Sequence, residues 1–147
     1  MEQAPTITFM SQPVDTLSTD GTATLTAGAK VNDYTDPLYQ WEKAESGTLT
    51  FTPVAGQNNE TLNLTGLNFV NDNGDKYRLT VTAYDGLTVA TSSTSTLTVQ
   101  PPLITIASDP DPQPIAHDGT ASFSASASAN IPGSTINYQW QVSTDGG

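Results

Sequence analysis

Apolar and polar residues alternate along the first hundred positions in short runs broken by turn formers. Ala23, Leu25 and Ala27 fall on one parity and Thr22, Thr24 and Thr26 on the other, the period-two signature of a strand with one buried face. Tyr39 and Trp41 share a face on the next run, Leu62 and Leu64 on a third, and Tyr77, Leu79, Val81 and Ala83 on a fourth. Asp85-Gly86, between Val81–Tyr84 and Leu87–Val89, predicts a two-residue hairpin. Thr96–Val99 supplies a last strand. No stretch holds a helical apolar period for three turns, so the predicted class is all-β.

The pattern then starts again. Ile7-Thr8-Phe9 returns as Ile104-Thr105-Ile106, Asp20-Gly21-Thr22-Ala23 as Asp118-Gly119-Thr120-Ala121, and Tyr39-Gln40-Trp41 as Tyr138-Gln139-Trp140. Three matches in the same order, each displaced by about 98 residues, mark a duplicated unit of domain size. Gln100-Pro101-Pro102 lies between the copies, and adjacent prolines favour a stiff, extended spacer. The expected organisation is an N-terminal segment 1–6, a domain over 7–99, a linker at 100–102, and over 103–147 the first half of a second domain. Half a repeat cannot bury a two-layer core. The expectation is that the second copy continues in a longer protein, the alternative being completion by another chain.

Charge and composition narrow the chemistry. Fifteen acidic side chains against four basic ones give a net charge of −11. Such a surface lacks the cationic footprint that nucleic acid or an anionic membrane requires. With no cysteine and one histidine, His117, there is no disulfide framework, no thiolate metal centre and no multi-histidine site. No apolar run reaches the roughly 20 residues that span a bilayer, and the opening Met1–Pro5 reads as no signal peptide.

Short strands, frequent turns and one Trp near the middle of the unit suggest a sandwich. Gly21-x-Ala-x-Leu-x-Ala27, Tyr39-x-Trp41, Leu62-x-Leu64-x-x-Leu67 and Asp72-x-Gly74-x-x-Tyr77-x-Leu79 resemble strands B, C, E and F of the immunoglobulin pattern. The resemblance covers the whole first copy and the opening half of the second. It implies an immunoglobulin-like β-sandwich with Trp41 at the core centre and a tyrosine corner at Tyr77. Ala27 and Leu79 stand where antibody domains pair cysteines, and one extra residue separates Gly74 from Tyr77. The core expected on this basis comprises Leu25, Ala27, Trp41, Leu62, Leu64, Tyr77 and Leu79, with Trp140 in the second copy. Closer still is the likeness to cysteine-free, Thr-rich immunoglobulin-like tandem repeats of bacteriophage virion proteins and bacterial surface proteins, carried above all by Tyr138–Gly147.

Candidate sites follow from chemistry and position. Asn71–Asp75 is oxygen-rich, but it lacks the twelfth-position Glu and flanking helices of a calcium loop and reads as a turn. Asp109 and Asp111, alternating with prolines, read as a stiff solvated segment, with calcium at Asp72, Asp75, Asp109 or Asp111 left open. His117 beside Asp118 is the only imidazole, and no acid pair is singled out, so no catalytic residue, metal or cofactor is assigned. The sandwich topology brings the B–C and F–G loops to one end. Those loops carry Asp33, Tyr34, Asp36, Tyr84 and Asp85, tyrosines and carboxylates suited to stacking on a sugar and bonding its hydroxyls.

The expected role is a non-catalytic module of a phage virion structural protein, in a capsid decoration, tail or fibre, located at the virion surface. It would act as a displayed spacer with weak contacts to host cell-surface glycans. The partners are other virion or surface structural proteins, without nucleic acid or membrane insertion. The alternatives are a stalk or adhesin repeat on a bacterial cell surface and an accessory carbohydrate-binding module of a secreted hydrolase.

Overall fold

The computed structural model describes residues 4–32 and 36–145. It divides into two compact units, Met1–Pro101 and Pro102–Gly147. In chain order the first unit contains β1 (Ile7–Ser11), β2 (Thr16–Ser18), β3 (Ala23–Thr26), β4 (Gly28–Val31), β5 (Leu38–Ala44), β6 (Thr52–Pro53), β7 (Thr61–Leu64), the single turn α1 (Phe69–Asp72), β8 (Lys76–Thr82), β9 (Val89–Thr91) and β10 (Ser95–Val99). The second contains β11 (Ile104–Ser108) and β12 (Ser126–Ala129).

Two layers build the first unit. In one, β1 pairs antiparallel with β4 and β3 antiparallel with β7. β3 and β4 are one strand broken at Ala27, whose N–H still reaches the Glu60 carbonyl at 3.0 Å. In the other, the order is β2, β10, β8, β5, β6, with β9 also on β8. The first chain segment thus changes sheets: β1 joins one layer, and β2 runs parallel on β10 in the other. This is the topology of an immunoglobulin-like sandwich, with strands A, B and E facing A′, G, F, C and C′.

Alternation decides which side chains meet between the layers. Trp41 and Leu79 lie opposite each other in the β5–β8 register, and Leu25 opposite Leu62 in the β3–β7 register. All four are buried, with Ala27, Tyr77, Val81, Leu97 and Val99, and half-buried Leu64 packs against them. The Trp41 indole N–H donates to the Asn59 carbonyl at 2.9 Å, so its one polar atom costs nothing to bury. Removing a side chain of this size from water contributes about 1.5–3 kcal/mol.

Two local expectations change. The F–G connection is wider than a two-residue hairpin, because the β8–β9 ladder ends at Thr82↔Val89. Ala83 N–H bonds Thr88 O at 2.9 Å, and Tyr84–Leu87 form the tip. A two-residue type I′ turn needs positive φ at both central residues, whereas here only Gly86 (φ 68°) has it and Asp85 does not. The tyrosine corner is also absent. Tyr77 is buried, yet its hydroxyl takes no hydrogen-bond partner among the described residues. The carboxylate of Asp75, two residues before Tyr77, is buried.

The second unit repeats the β1–β4 pairing of the first, while the segments matching β2, β3 and β5 form no strand among the described residues. β1–β4 aligns Ile7↔Val31, Thr8↔Lys30 and Phe9↔Ala29, then shifts register before Ser11↔Gly28. β11–β12 aligns Ile104↔Ala129, Thr105↔Ser128 and Ile106↔Ala127, then shifts before Ser108↔Ser126. Asn32 Oδ1 accepts from Thr6 N–H at 2.7 Å, and Asn130 Oδ1 accepts from Leu103 N–H at 2.8 Å. Burial does not repeat. Trp140, expected in a core, is 54% exposed. In the first unit Trp41 is covered by residues of β7, β8 and β10, and residues 103–145 contain no such strands.

Candidate functional site

The expected recognition tip is only partly described. Asp33 and Tyr34 lie outside the described residues. Asp36 is exposed two residues before β5, and Tyr84 is 80% exposed on the F–G tip. Leu87 beside it is also exposed, as are Leu38 and Val89. In register, Leu38 and Val89 flank Thr82 on either side, and directly opposed residues share a face. That face is the outer one, since Trp41 and Leu79 of opposite parity point inward. Among the described residues the tip thus combines the exposed Tyr84 ring with aliphatic and threonine surface. Alternation with Tyr39 and Trp41 makes Leu38 an outward position, but no local spacing gathers Leu87 and Val89 about Tyr84.

Asp85 has a local task. Its Oδ1 accepts from the N–H groups of Leu87 at 3.0 Å and Thr88 at 2.9 Å, and its Oδ2 accepts from the Thr88 hydroxyl at 2.8 Å. The Thr88 and Leu87 amides hold its carboxyl below the ordinary aspartate value. Asp20 behaves alike: the hydroxyl and amide of Thr22 lower it. Both carboxylates close Asx-type turns.

The oxygen-rich Asn71–Asp75 segment is a capped turn with an ion pair. Asn68 Oδ1 accepts from Asn71 N–H at 3.0 Å while Asp72 Oδ2 accepts from Asn68 N–H at 2.8 Å, a reciprocal cap on α1. Asp75 is fully buried. Its Oδ1 accepts from Ser46 N–H at 2.9 Å, and its Oδ2 meets the Lys43 ammonium at 2.7 Å. Lys43 lies 3.8 Å from Asp72 as well. Burial pulls the Lys43 ammonium down, but the hydrogen bond to Asp75 and the charges around it outweigh that and raise it above the usual lysine value. Burial pushes the Tyr77 hydroxyl up to about 12, against the opposing pull of Lys43. A lysine ammonium thus stands where a bound cation would have to sit. No local spacing links Lys43 to Asp75, its partner 32 residues away.

The remaining candidates are surface features. Asp109 and Asp111 are exposed. His117 Nδ1 lies 3.0 Å from Asp118 Oδ2, with both side chains in solvent. Among the described residues no three His, Asp or Glu side chains gather into a metal-binding set, and no helix is long and apolar enough to cross a membrane.

Neither a family model nor a curated protein matches the chain. Solved structures do. It is similar to the IG1 and IG2 domains of DIP-gamma, at 20% identity and TM-score 0.45, over 63% of this chain and 47% of that one. It is also similar to a chimeric titin Z1Z2 carrying an exogenous KLER peptide from decorin, at 21% identity and TM-score 0.45, over 67% of this chain and 99% of that one. The chain thus spans about half the length of the DIP-gamma protein it matches. The fold assignment rests on the strand order and registers described above.

Proposed function

We propose that this chain is a non-catalytic display module of a phage virion, in which immunoglobulin-like repeats hold a surface tip away from the particle. The observation that carries the reading is the duplication of one repeat down to its register shift, with Gln100-Pro101-Pro102 between the copies. A series of like units suits spanning distance. The net charge of −11 keeps neighbouring copies apart. At the tip, Tyr84 offers a ring face for neutral sugars, and many displayed copies would add avidity to a weak contact.

Antibodies raised against residues 4–100 test the placement. They should decorate purified virions in electron micrographs. Labelling of bacterial envelopes in place of virions would assign the chain to a cell-surface stalk. On an array of displayed copies, Tyr34→Ala with Tyr84→Ala should reduce adhesion to host envelopes about tenfold or more. Unchanged adhesion would leave spacing as the sole role.

A further inference from the structure

Lys43 and Asp75 are held in more than an ion pair. Lys43 lies opposite Tyr77 in the β5–β8 register and shares the inward parity of Trp41, which brings its Nζ to 2.7 Å from Asp75 Oδ2. Asp75 is wholly enclosed, and among the described residues Lys43 Nζ is the one polar group set against that oxygen. The other oxygen, Oδ1, accepts the Ser46 N–H at 2.9 Å.

Backbone fixes the carboxyl in this position. Gly74 N–H donates to Leu97 O at 2.8 Å, Leu97 N–H to Asp75 O at 2.8 Å, and Asp75 N–H to Asp72 O at 3.2 Å. Ser46 is pressed so closely on Gly74 (φ 90°) that a Cβ there would lie 2.5 Å from its Oγ. The loop that brings the Ser46 N–H is thus clamped onto the turn that carries Asp75. Asp72 Oδ1 stands 3.8 Å from Lys43 Nζ, while its Oδ2 is held by the Asn68 N–H. An amine against a carboxyl, an N–H on the far oxygen and a second carboxylate beside the nitrogen are the parts of an acyl transfer.

We propose that Lys43 and Asp75 condense to an intramolecular amide, joining β5 covalently to the turn before β8. The ammonium first passes one proton to Asp75 Oδ2, which leaves a neutral amine and a carboxylic acid, so no outside base is needed. The Nζ lone pair then adds to Cγ, and the carbonyl electron pair moves onto Oδ1, where the Ser46 N–H stabilises the charge. Asp72 takes a second proton from Nζ and delivers it to the Oδ2 hydroxyl. The Cγ–Oδ2 bond breaks, water leaves, the carbonyl re-forms, and Asp72 is again a carboxylate. Nothing is oxidised or reduced. Both reacting groups are already held by the fold, so condensation loses none of the entropy of an encounter.

The test is the intact mass of the whole chain, purified folded and then incubated at neutral pH. It should fall below the sequence mass by one water. Trypsin does not cut after an acylated lysine, so digestion should release one dehydrated fragment over residues 31–76 in place of 31–43 and 44–76. Lys43→Arg, which keeps the positive charge, should retain the full mass. Asp72→Asn should slow the appearance of the dehydrated form about a hundredfold. An imide at an Asp-Gly step such as Asp20-Gly21 or Asp85-Gly86 would also lose water, but hydroxylamine opens an imide and leaves the amide intact. Full mass in the parent after prolonged incubation overturns the proposal. So does a loss of water that persists in Lys43→Arg or that hydroxylamine reverses. An Asp72→Asn rate equal to that of the parent overturns the proton-carrying role of Asp72.

Discussion

Tyr39-Gln40-Trp41 and Tyr138-Gln139-Trp140 are the same three residues in the same place of the same repeat, and their tryptophans live in opposite environments. Trp41 is wholly buried and bonded through its indole N–H, whereas Trp140 is more than half exposed. Both segments keep the glutamine bond to the backbone of the following tryptophan, yet Tyr39–Trp41 lies within β5 while Tyr138–Trp140 joins no strand. Local sequence does not set burial. Burial is non-local: Trp41 is covered by residues of β7, β8 and β10, for which residues 103–145 hold no counterpart.

That contrast can be broken most sharply at the tryptophans. Trp41→Ala should cost about 3–5 kcal/mol and unfold the first unit. Trp140→Ala should cost less than about 1 kcal/mol, because little buried area is lost. Thermal melts followed by circular dichroism compare the two, and equal costs would remove the distinction. Next in size is the ion pair found only in the first unit. Lys43→Ala leaves the buried Asp75 carboxylate without its counter-charge, a loss of about 2–3 kcal/mol with the ammonium partly solvated. Lys43→Ala with Asp75→Ala should recover part of that loss in urea titrations.

Alkaline pH sharpens the same region. Tyr77 is raised from 10.0 to about 12, so the folded state holds its proton more tightly than the unfolded one. The associated stability is complete below pH 10 and disappears as pH climbs through 12, about 2–3 kcal/mol in all. Lys43, also raised, acts in the same direction. Tyr77→Phe should flatten this limb in a pH series of denaturant midpoints. At pH 7 the same substitution should change stability by less than about 0.5 kcal/mol, since the hydroxyl gives up no hydrogen bond. A tyrosine corner would instead cost about 1 kcal/mol.

How much of this was legible in the sequence follows the range of the interaction. Alternation at Ala23–Ala27 and Tyr77–Ala83 marks strands because period two is a property of each strand alone. Asp85-Gly86 marks the F–G turn but not its width, which depends on Asp85 folding back on Leu87 and Thr88. Asp75 read as one more turn carboxylate. Its burial and its bond to Lys43 need strand β5 laid beside β8, a pairing that no local spacing encodes. At the tip, Tyr84 and Asp85 share a turn with different chemistry, because a carboxylate that closes its own loop has fewer lone pairs left for a ligand.

The parallel contact between β2 and β10 has a mechanical meaning. Leu97↔Thr16, Thr98↔Leu17 and Val99↔Ser18 join a strand near the beginning of the first unit to its last strand. Asp15 adds a side-chain tie to Thr96 N–H at 2.7 Å, and Gln100 N–H reaches Ser18 O at 2.9 Å. Tension drawn between the two ends of this unit pulls those strands in opposite directions along their length, so the bonds carry load together and not one after another as in a peeling hairpin. A repeat wired in this way resists stretching at this β2–β10 patch, and Tyr84–Leu87 of the F–G connection take no part in that pairing.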